Sequence, residues 1–452
     1  MIELPEAPEP YKHFVSYLKR HAGRANLTFP VCSHFHTGLE SKGRRVANVL
    51  RRDVLKDLGA AALAVGGLNV FSAVPDPRYE VAVYYFANYH VDKRNEAAHG
   101  PGWTEWRLVQ AAQPRFPGHQ QPKVPLWGYE DESQPKVFEQ KIEAASQSGV
   151  TAFIFDWYWY NDGPFLEGAL EKGYLNAHNK ADLKFALMWA NHDWVDIQPA
   201  KFSGHPLLQF EGAVTPKTFE AMTDHIVNVY FSEPSYWKVE GCPYFSIYEI
   251  YRFVKGMGGV GNAAKALEAF RTKVRKAGFK DLHLNAVTWG IQLLPGETDV
   301  PDLKGLLGAL SVNSTTSYVW IHHVKLRPFP VAQYEEVARS YEEYRAGASA
   351  QFNLPYFPNV SMGWDSTPRV CQTDVFVEGQ YPFLPVMQGN TPEAFGRALN
   401  SARNFLDKQA NGVPKILTIN AWNEWTEGSY LEPDTITKYG YLDQIRKVFG
   451  RA

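Results

Sequence analysis

The stretch Lys415-Ile416-Leu417-Thr418-Ile419-Asn420-Ala421-Trp422-Asn423-Glu424-Trp425-Thr426-Glu427-Gly428 passes from an apolar run into a cluster of acids, indoles and amides. Lys415–Ile419 reads as a buried strand. From Ile419 to Asp434 the chain holds four acids, two tryptophans and two asparagines in sixteen residues, a mixture that does not build a core. Trp beside Glu at a strand end suits a site that stacks on a flat, polar ligand while a carboxyl group moves protons, and sugars are such ligands. Glu424 and Glu427 stand three residues apart. An extended chain would turn them away from each other, whereas one turn-like step, favoured by Gly428, brings them to the same side. Beside Trp422 and Trp425 they would be partly desolvated, which raises carboxyl pKa values and suits an acid catalyst. Separations of about 5 to 5.5 Å suit glycoside hydrolysis with retention, and roughly 6.5 to 9.5 Å suits inversion.

Working outward, the strand at Lys415–Ala421 is the last of eight short apolar segments. The others are Val81–Phe86, Thr151–Tyr158, Leu183–Asn191, Pro243–Glu249, Leu282–Trp289, Leu310–Thr316 and Tyr356–Trp364. Helical patterns fall around Val137–Ser148, Pro164–Lys172, Pro216–Tyr230, Ala263–Ala277, Asp302–Gly308, Val331–Ala350, Pro392–Ala410 and Leu442–Phe449. Eight strands alternating with eight helices predict an α/β fold, a single (β/α)8 TIM-type barrel. The continuous apolar character of the strands agrees with parallel strands buried on both faces. A doubly wound sheet would carry a glycine-rich phosphate loop after its first strand, and none is present. The Gly256–Gly261 run lacks a preceding strand and a P-loop lysine, and reads as a loop.

A chain of 452 residues with 45% hydrophobic content is long enough for one large barrel and easily fills its core. A net charge of -2 gives no electrostatic reason to expect nucleic acid or an anionic membrane surface as partner. The 14% aromatic content exceeds what packing needs, and several clusters fall at strand ends, where rings could line a cleft. Three cysteines, Cys32, Cys242 and Cys371, stand at no metal-ligand spacing and argue against a disulfide scaffold or zinc site; Cys242 and Cys371 read as buried free thiols.

The barrel is expected to occupy residues 76–452. Arg51-Arg52-Asp53-Val54-Leu55-Lys56 and the Gly/Ala-rich run Leu58–Val74 resemble a twin-arginine export signal, placed at 46–75. That run is too short and glycine-rich to span a membrane securely, so no stable membrane insertion of the mature chain is expected; the export signal predicts a periplasmic or extracellular location. Residues 1–45 read as a non-native or disordered extension, with initiation expected at Val46.

In such a barrel, catalytic residues sit where strands end and loops begin. The first strand leads to Asn88-Tyr89-His90 and to a loop carrying Gly102-Trp103-Thr104-Glu105-Trp106. The second ends in Asp156-Trp157-Tyr158-Trp159-Tyr160, and the third in Trp189-Ala190-Asn191-His192-Asp193-Trp194. The fourth ends in Tyr248-Glu249, the fifth in Trp289, and the seventh in Gly363-Trp364-Asp365-Ser366-Thr367-Pro368-Arg369. Candidate substrate contacts are therefore Trp103, Glu105, Trp106, Asp156, Trp157, Tyr158, Trp189, Asn191, His192, Asp193, Tyr248, Trp364, Asp365 and Arg369, with Trp422, Asn423 and Trp425 beside the acids. Asp156 and Asp365 could equally hold a Trp or Arg in place. His119, His192, His322 and His323 lack the spacing of a helical zinc motif, and neither a metal nor an organic cofactor is expected; His119 is expected to hold the first loop. No Gly-x-Ser-x-Gly elbow is present, which weighs against a serine esterase.

Several of these blocks, with Phe116-Pro117-Gly118-His119-Gln120-Gln121-Pro122 and Leu431-Glu432-Pro433, give the chain a resemblance to the glycoside hydrolase family 99-like group over most of residues 80 to 445. The resemblance implies a (β/α)8 fold and, for true family 99 members, retaining endo-cleavage of α-mannosidic bonds. It would make Glu424 the base on the sugar's own 2-hydroxyl, forming a 1,2-anhydro intermediate, and Glu427 the acid and then base at the leaving oxygen. The chain departs from the group at His192-Asp193, where many relatives carry Glu-Asn, and at Asn88–His99; both loops would border the sugar subsites. The wider group also includes proteins labelled as glycosyltransferases of polysaccharide assembly.

The expected function is that of an exported glycoside hydrolase acting on a poly- or oligosaccharide through Glu424 and Glu427. A pairing of Glu249 with an acid near Asp365 is the alternative within that class. A glycosyltransferase and a catalytically silent glycan-binding protein are the alternatives outside it.

Overall fold

The computed structural model describes residues 75–294, 297 and 300–450. The expected export signal and extension, with Cys32, lie outside the described residues.

The expected eight strands form as one parallel sheet closed on itself: β1 Glu80–Phe86, β2 Ala152–Tyr160, β3 Lys184–Trp189, β4 Cys242–Ile247, β5 His283–Val287, β6 Ser314–Thr316, β7 Tyr356–Phe357 with Asn359–Ser361, and β8 Ile416–Asn420. Neighbours in sequence are neighbours in space, and β8 returns to β1 with Glu80 opposite Ile416 and Val83 opposite Ile419. Closure runs through Pro358, which splits β7 because proline gives no donor to the ladder. Its first half pairs with Thr315 and Thr316 of β6, and its second half pairs with Thr418–Asn420 of β8. The Pro358 carbonyl still accepts from the Thr418 amide at 2.9 Å, so the ladder spans the break.

Inside the barrel the filling is more polar than the apolar strands suggest. Ser246 donates to Asn285 at 2.9 Å, Asn285 donates to Ser314 at 2.9 Å, and Asn359 donates to Thr418 at 3.2 Å, all of them buried. Because these small polar groups satisfy one another, their burial costs little and their geometry is fixed.

Helices α1 Pro135–Gln147, α2 Pro216–His225, α3 Val260–Lys276, α4 Leu303–Ala309, α5 Tyr334–Phe352, α6 Pro392–Asp407 and α7 Gly440–Phe449 form the outer ring. The structure corrects five expectations. The helix expected at Pro164–Lys172 is instead a hairpin, Gly163–Phe165 pairing back on Tyr158–Tyr160, followed by one π turn at Ala169–Gly173. Asn161-Asp162-Gly163, with Gly163 at φ 115°, is the turn signal responsible. Val331–Gln333 is a short strand on Val386–Gln388 before α5 begins, and Leu310 ends α4 rather than starting β6. The Gly256–Gly261 run is a turn only at its centre, since Gly256 closes the short helix Ile250–Gly256 and α3 starts at Val260. Cys242 and Cys371 are free as expected, but half-buried rather than buried. Among the described residues no helix is long and apolar enough to cross a membrane.

Candidate active site

After β8, Asn423–Glu424 pairs with Ser429–Tyr430, and the turn between them is a single 3₁₀ step, Trp425–Glu427. Gly428 ends the step at φ 62°, and a Cβ there would lie 2.6 Å from Cβ of Asp365, so glycine is required by both conformation and space. Asn423 locks the start of the turn to β1, accepting from the Phe86 amide at 2.9 Å and donating to the Phe86 carbonyl at 2.7 Å. The step therefore does what the spacing predicts and brings both glutamates to one side.

The residue that gathers them is Arg369, from the turn after β7. Its Nη1 donates to Glu427 Oε1 at 2.5 Å and its Nη2 to Glu424 Oε2 at 3.3 Å. Nε donates to Glu105 Oε1 at 2.9 Å, and Nη2 lies 2.8 Å from the same oxygen. Tyr381 completes the set, donating to Glu427 Oε1 at 2.7 Å while accepting from Arg369. Three carboxylates thus share one guanidinium, and all are buried. Burial pushes Glu424 well above the ordinary carboxyl range, and the charge of Glu427 adds to the rise. Burial raises Glu427 too, but Arg369 and Tyr381 pull it down. Of the two, Glu427 has the closer guanidinium contact and the Tyr381 hydroxyl, so its ionised form is the better supported by neighbours.

Both glutamates line a cleft enclosing about 690 Å³ with its open mouth. Phe86, Tyr158, Trp194, Tyr248, Tyr318 and Trp364 contribute its rings. Asp156, in the middle of β2, accepts from the Tyr318 hydroxyl at 2.7 Å through Oδ2, while Oδ1 is buried without a protein partner. Burial raises this carboxyl strongly. His192 reaches the same cleft, and burial lowers it to about 4, so it is neutral at pH 7 with Nδ1–H on the Asp193 carbonyl at 2.9 Å. This is a concave, ring-lined site with convergent carboxyl groups of shifted pKa, an arrangement able to hold a sugar and move protons around it.

With this geometry in hand, a family model described as Glycosyltransferase WbsX matches residues 81–445. The chain belongs to this family. Two curated relatives, each described as uncharacterized protein WxcX and found in two strains of Xanthomonas campestris pv. campestris, are 28% identical over 378 residues. The match covers 82% of this chain and 50% of each relative, so the chain spans about half the length of the curated relatives it matches. Among solved structures, the GH99 endo-alpha-mannosidase from Bacteroides thetaiotaomicron superposes with a TM-score of 0.51 at 14% identity, over 81% of this chain and 95% of that one. A glycoside hydrolase-like protein gives 0.53 at 14% identity over 83% and 94%. The family 99-like resemblance is thus borne out at the level of the fold, a glycosidase-like barrel.

The WbsX-family chain brings together nine of the expected site residues: Asp156, Tyr158, His192, Asp193, Tyr248, Trp364, Arg369, Glu424 and Glu427 all line the cleft. The other candidates stand behind it. Glu105 holds Arg369 and accepts from Asn88 and Thr426. Asn191 is spent on the Glu249 backbone, at 2.8 Å in both directions. Asp365 turns away to accept from His119 at 2.8 Å and Gln121 at 2.7 Å, so His119 does hold the first loop.

The expected stacking platforms are corrected most. Trp422 packs on Phe153 at 5.0 Å and Trp425 on Tyr430 at 3.8 Å, each fully buried. Trp157 donates to Tyr230, Trp189 to the Trp159 carbonyl and Trp106 to the Glu130 carbonyl, while Trp103 stacks on His99. Trp157 and Trp189 are core because a parallel barrel buries both faces of its strands, whereas Trp103, Trp106, Trp422 and Trp425 lie beyond the strands and are buried there as well. Glu249 lines a different cavity, with Thr288, Trp289 and Leu303, so the alternative acid pair of strands four and seven is not assembled. The expected histidines part company in the same way: His322 meets Tyr248, and His323 stacks on Tyr344 at 3.8 Å. Among the described residues no three His, Cys, Asp or Glu side chains are grouped as metal ligands would be.

Sequence reasoning missed Tyr318 and Tyr381. Tyr318 follows β6 directly, where the strand-end rule could have found it. Tyr381 lies in a long loop with no periodic signal.

Proposed function

We propose that this WbsX-family protein is a glycoside hydrolase, with Glu424 and Glu427 as its working carboxyl groups and a poly- or oligosaccharide as substrate. The observation that carries the reading is the pair itself: two buried carboxyl groups on one guanidinium, open to a ring-lined cleft. Glu427 protonates the leaving oxygen, and Glu424 accepts a proton from the attacking hydroxyl, the division of labour that the family 99-like resemblance implies. In the ligand-free protein Arg369 and Tyr381 favour charge on Glu427, the reverse of that division. A sugar hydroxyl donating to Glu424 favours its ionised form and drives the shared proton toward Glu427, so substrate binding sets the charges that the reaction needs. An α-mannoside cleaved with retention is the first substrate to test. Asp156, with one oxygen unpartnered, is proposed to hold a ring hydroxyl.

The family description favours a second reading, a glycosyltransferase. A nucleotide or lipid diphosphate donor calls for unshared cations. Among the described residues lining the cleft, the one guanidinium is already divided among three carboxylates and both histidines are held neutral by burial. We also propose export, on the twin-arginine pattern at Arg51-Arg52. The wild type should leave the cytoplasm and the double variant Arg51→Lys, Arg52→Lys should stay in it; retention of both would remove the idea.

Digestion of a glycan array, with the product anomer read by NMR, tests linkage and stereochemistry together. Release of reducing sugar without any activated donor is expected. Turnover only with an activated donor would replace hydrolase by transferase.

A further inference from the structure

The cleft does not end at Glu427. Tyr381, whose hydroxyl sits on Glu427, also lines a second and larger hollow of about 1920 Å³ with its open mouth, and Leu293 and Leu294 line both. The two hollows share these three residues, and Tyr381 marks the step between them on the Glu427 side. Beyond that step the floor is aliphatic and aromatic, supplied by Ile321, Val324, Leu326, Phe383 and Leu384. The charged and amide side chains of the hollow, among them Lys201, Lys325 and Gln380, are exposed at its rim. Glu297 is the exception, and its carboxylate is taken by the Tyr248 hydroxyl at 2.9 Å and the Leu294 amide at 3.1 Å.

A groove for further sugar rings needs polar groups between its platforms, because each hydroxyl must be matched on leaving water. The floor of this hollow supplies methyl groups and rings, while Lys201, Gln292, Lys325, Glu378 and Gln380 supply polar groups around it. The surface beside it is apolar too: Phe202 is 50% exposed, Leu207 72%, Leu208 57% and Val375 77%. Phe202 and Pro206 line the hollow, and the Phe202 amide is tied to Asp374, next to Val375. Exposed apolar residues gathered at one place mark a binding surface rather than chance.

We propose that the leaving group of the substrate carries an apolar chain, which lies in the groove beyond Tyr381, so that this protein acts on amphiphilic glycosides. The inference rests on the hydrolase reading, with Glu427 at the leaving oxygen. In the reaction the anomeric carbon–oxygen bond breaks, Glu427 gives its proton to the departing alcohol, and water supplies hydroxide to the anomeric carbon and a proton back to the carboxylate. The alcohol leaves through the groove with its chain already in place.

The test reads binding apart from turnover. Methyl, octyl and dodecyl α-mannopyranosides, each below its micelle concentration, are titrated calorimetrically into the Glu424→Gln protein. Burial of four further methylenes should tighten the dodecyl compound over the octyl one by roughly tenfold or more. Leu384→Asp should erase that dependence; if this variant fails to fold, Val324→Asp serves in its place. Equal binding along the series, or a chain-length dependence that survives both aspartates, would overturn the proposal. So would a dimer that Leu384→Asp dissociates, because the groove would then be an interface between copies. Chain-dependent binding without turnover of any glycoside by the wild type would instead sink the hydrolase reading and leave a site for an apolar chain.

Discussion

Two buried cations serve the acids around the end of β8, and they do opposite things. Lys141, from α1, lies 2.9 Å from Glu432 and 3.9 Å from Glu132, and donates to the Tyr85 hydroxyl at 2.9 Å. Its cluster is knitted into the frame: Glu132 accepts from the Tyr89 amide at 2.7 Å, and Glu432 accepts from the Trp425 indole at 2.7 Å. None of the three lines the cleft. Arg369 is equally buried but answers to three carboxylates, two of which face the open cleft. Buried charge alone therefore does not mark a working site. What separates the two is a third carboxyl group on the one cation together with an opening for a ligand. The first cluster holds the turn whose far side the second one uses.

The sharpest break between the two comes from removing charge on each side. Glu424→Gln and Glu427→Gln should each lower kcat/KM by roughly a thousandfold or more while melting near the wild type, since losing one of three carboxylates relieves repulsion around Arg369. A fully active Glu427→Gln protein would end the assignment. Lys141→Met should do the reverse. Leaving Glu432 and Glu132 without their cation should cost about 3 to 5 kcal/mol of stability, read by urea unfolding, with kcat of the folded fraction little changed. If Lys141→Met melts normally and loses activity, the division between frame and site is wrong.

That division is also where sequence reading stopped. The eight strands were legible because parallel strands buried on both faces are continuous apolar runs, and the Glu424/Glu427 step was legible because Gly428 and a spacing of three allow little else. Which indoles face the cleft was not. Alternation normally separates inward from outward positions, but here both faces are buried, so Trp422 and Trp364 look alike in sequence while only Trp364 reaches the cleft. Arg369 was read as a substrate contact, and nothing in its neighbourhood announced that it would gather Glu105, Glu424 and Glu427 from two distant loops. The N-D-G signal after β2 was present in the sequence and was outweighed by the helical pattern downstream.

A third group of buried acids sharpens the comparison through pH. Burial, and then the charge of Glu297, pushes Glu249 up to about 7, and one of its oxygens has no hydrogen-bond partner. A folded-state pKa above the unfolded value means that the native state binds more protons between roughly pH 4.5 and 7, so stability should fall as pH rises through that window. Glu249→Gln removes this loss. The variant should gain on the order of 2 kcal/mol over the wild type at pH 8 and little or nothing at pH 4, measured by denaturant midpoints at the two values. An equal gain at both would mean that packing, not ionisation, is being changed.

The smallest effect is the most informative about roles. Tyr381→Phe removes the hydrogen bond to Glu427 Oε1, worth about 1 kcal/mol, and the one accepted from Arg369, and leaves the Arg369–Glu427 contact in place. The bond to Glu427 stabilises the ionised carboxylate, so its loss should raise the pKa of Glu427 by under about one pH unit. If Glu427 works protonated, as the acid at the leaving oxygen, the alkaline limb of kcat/KM should move upward and the variant should outlast the wild type at high pH. If Glu427 works ionised, the acid limb should move upward instead, and the variant should lose activity first at low pH. The proposed mechanism requires the first outcome. The second would exchange the roles of the two glutamates and keep the pair, because the same guanidinium would then hold the base rather than release the acid.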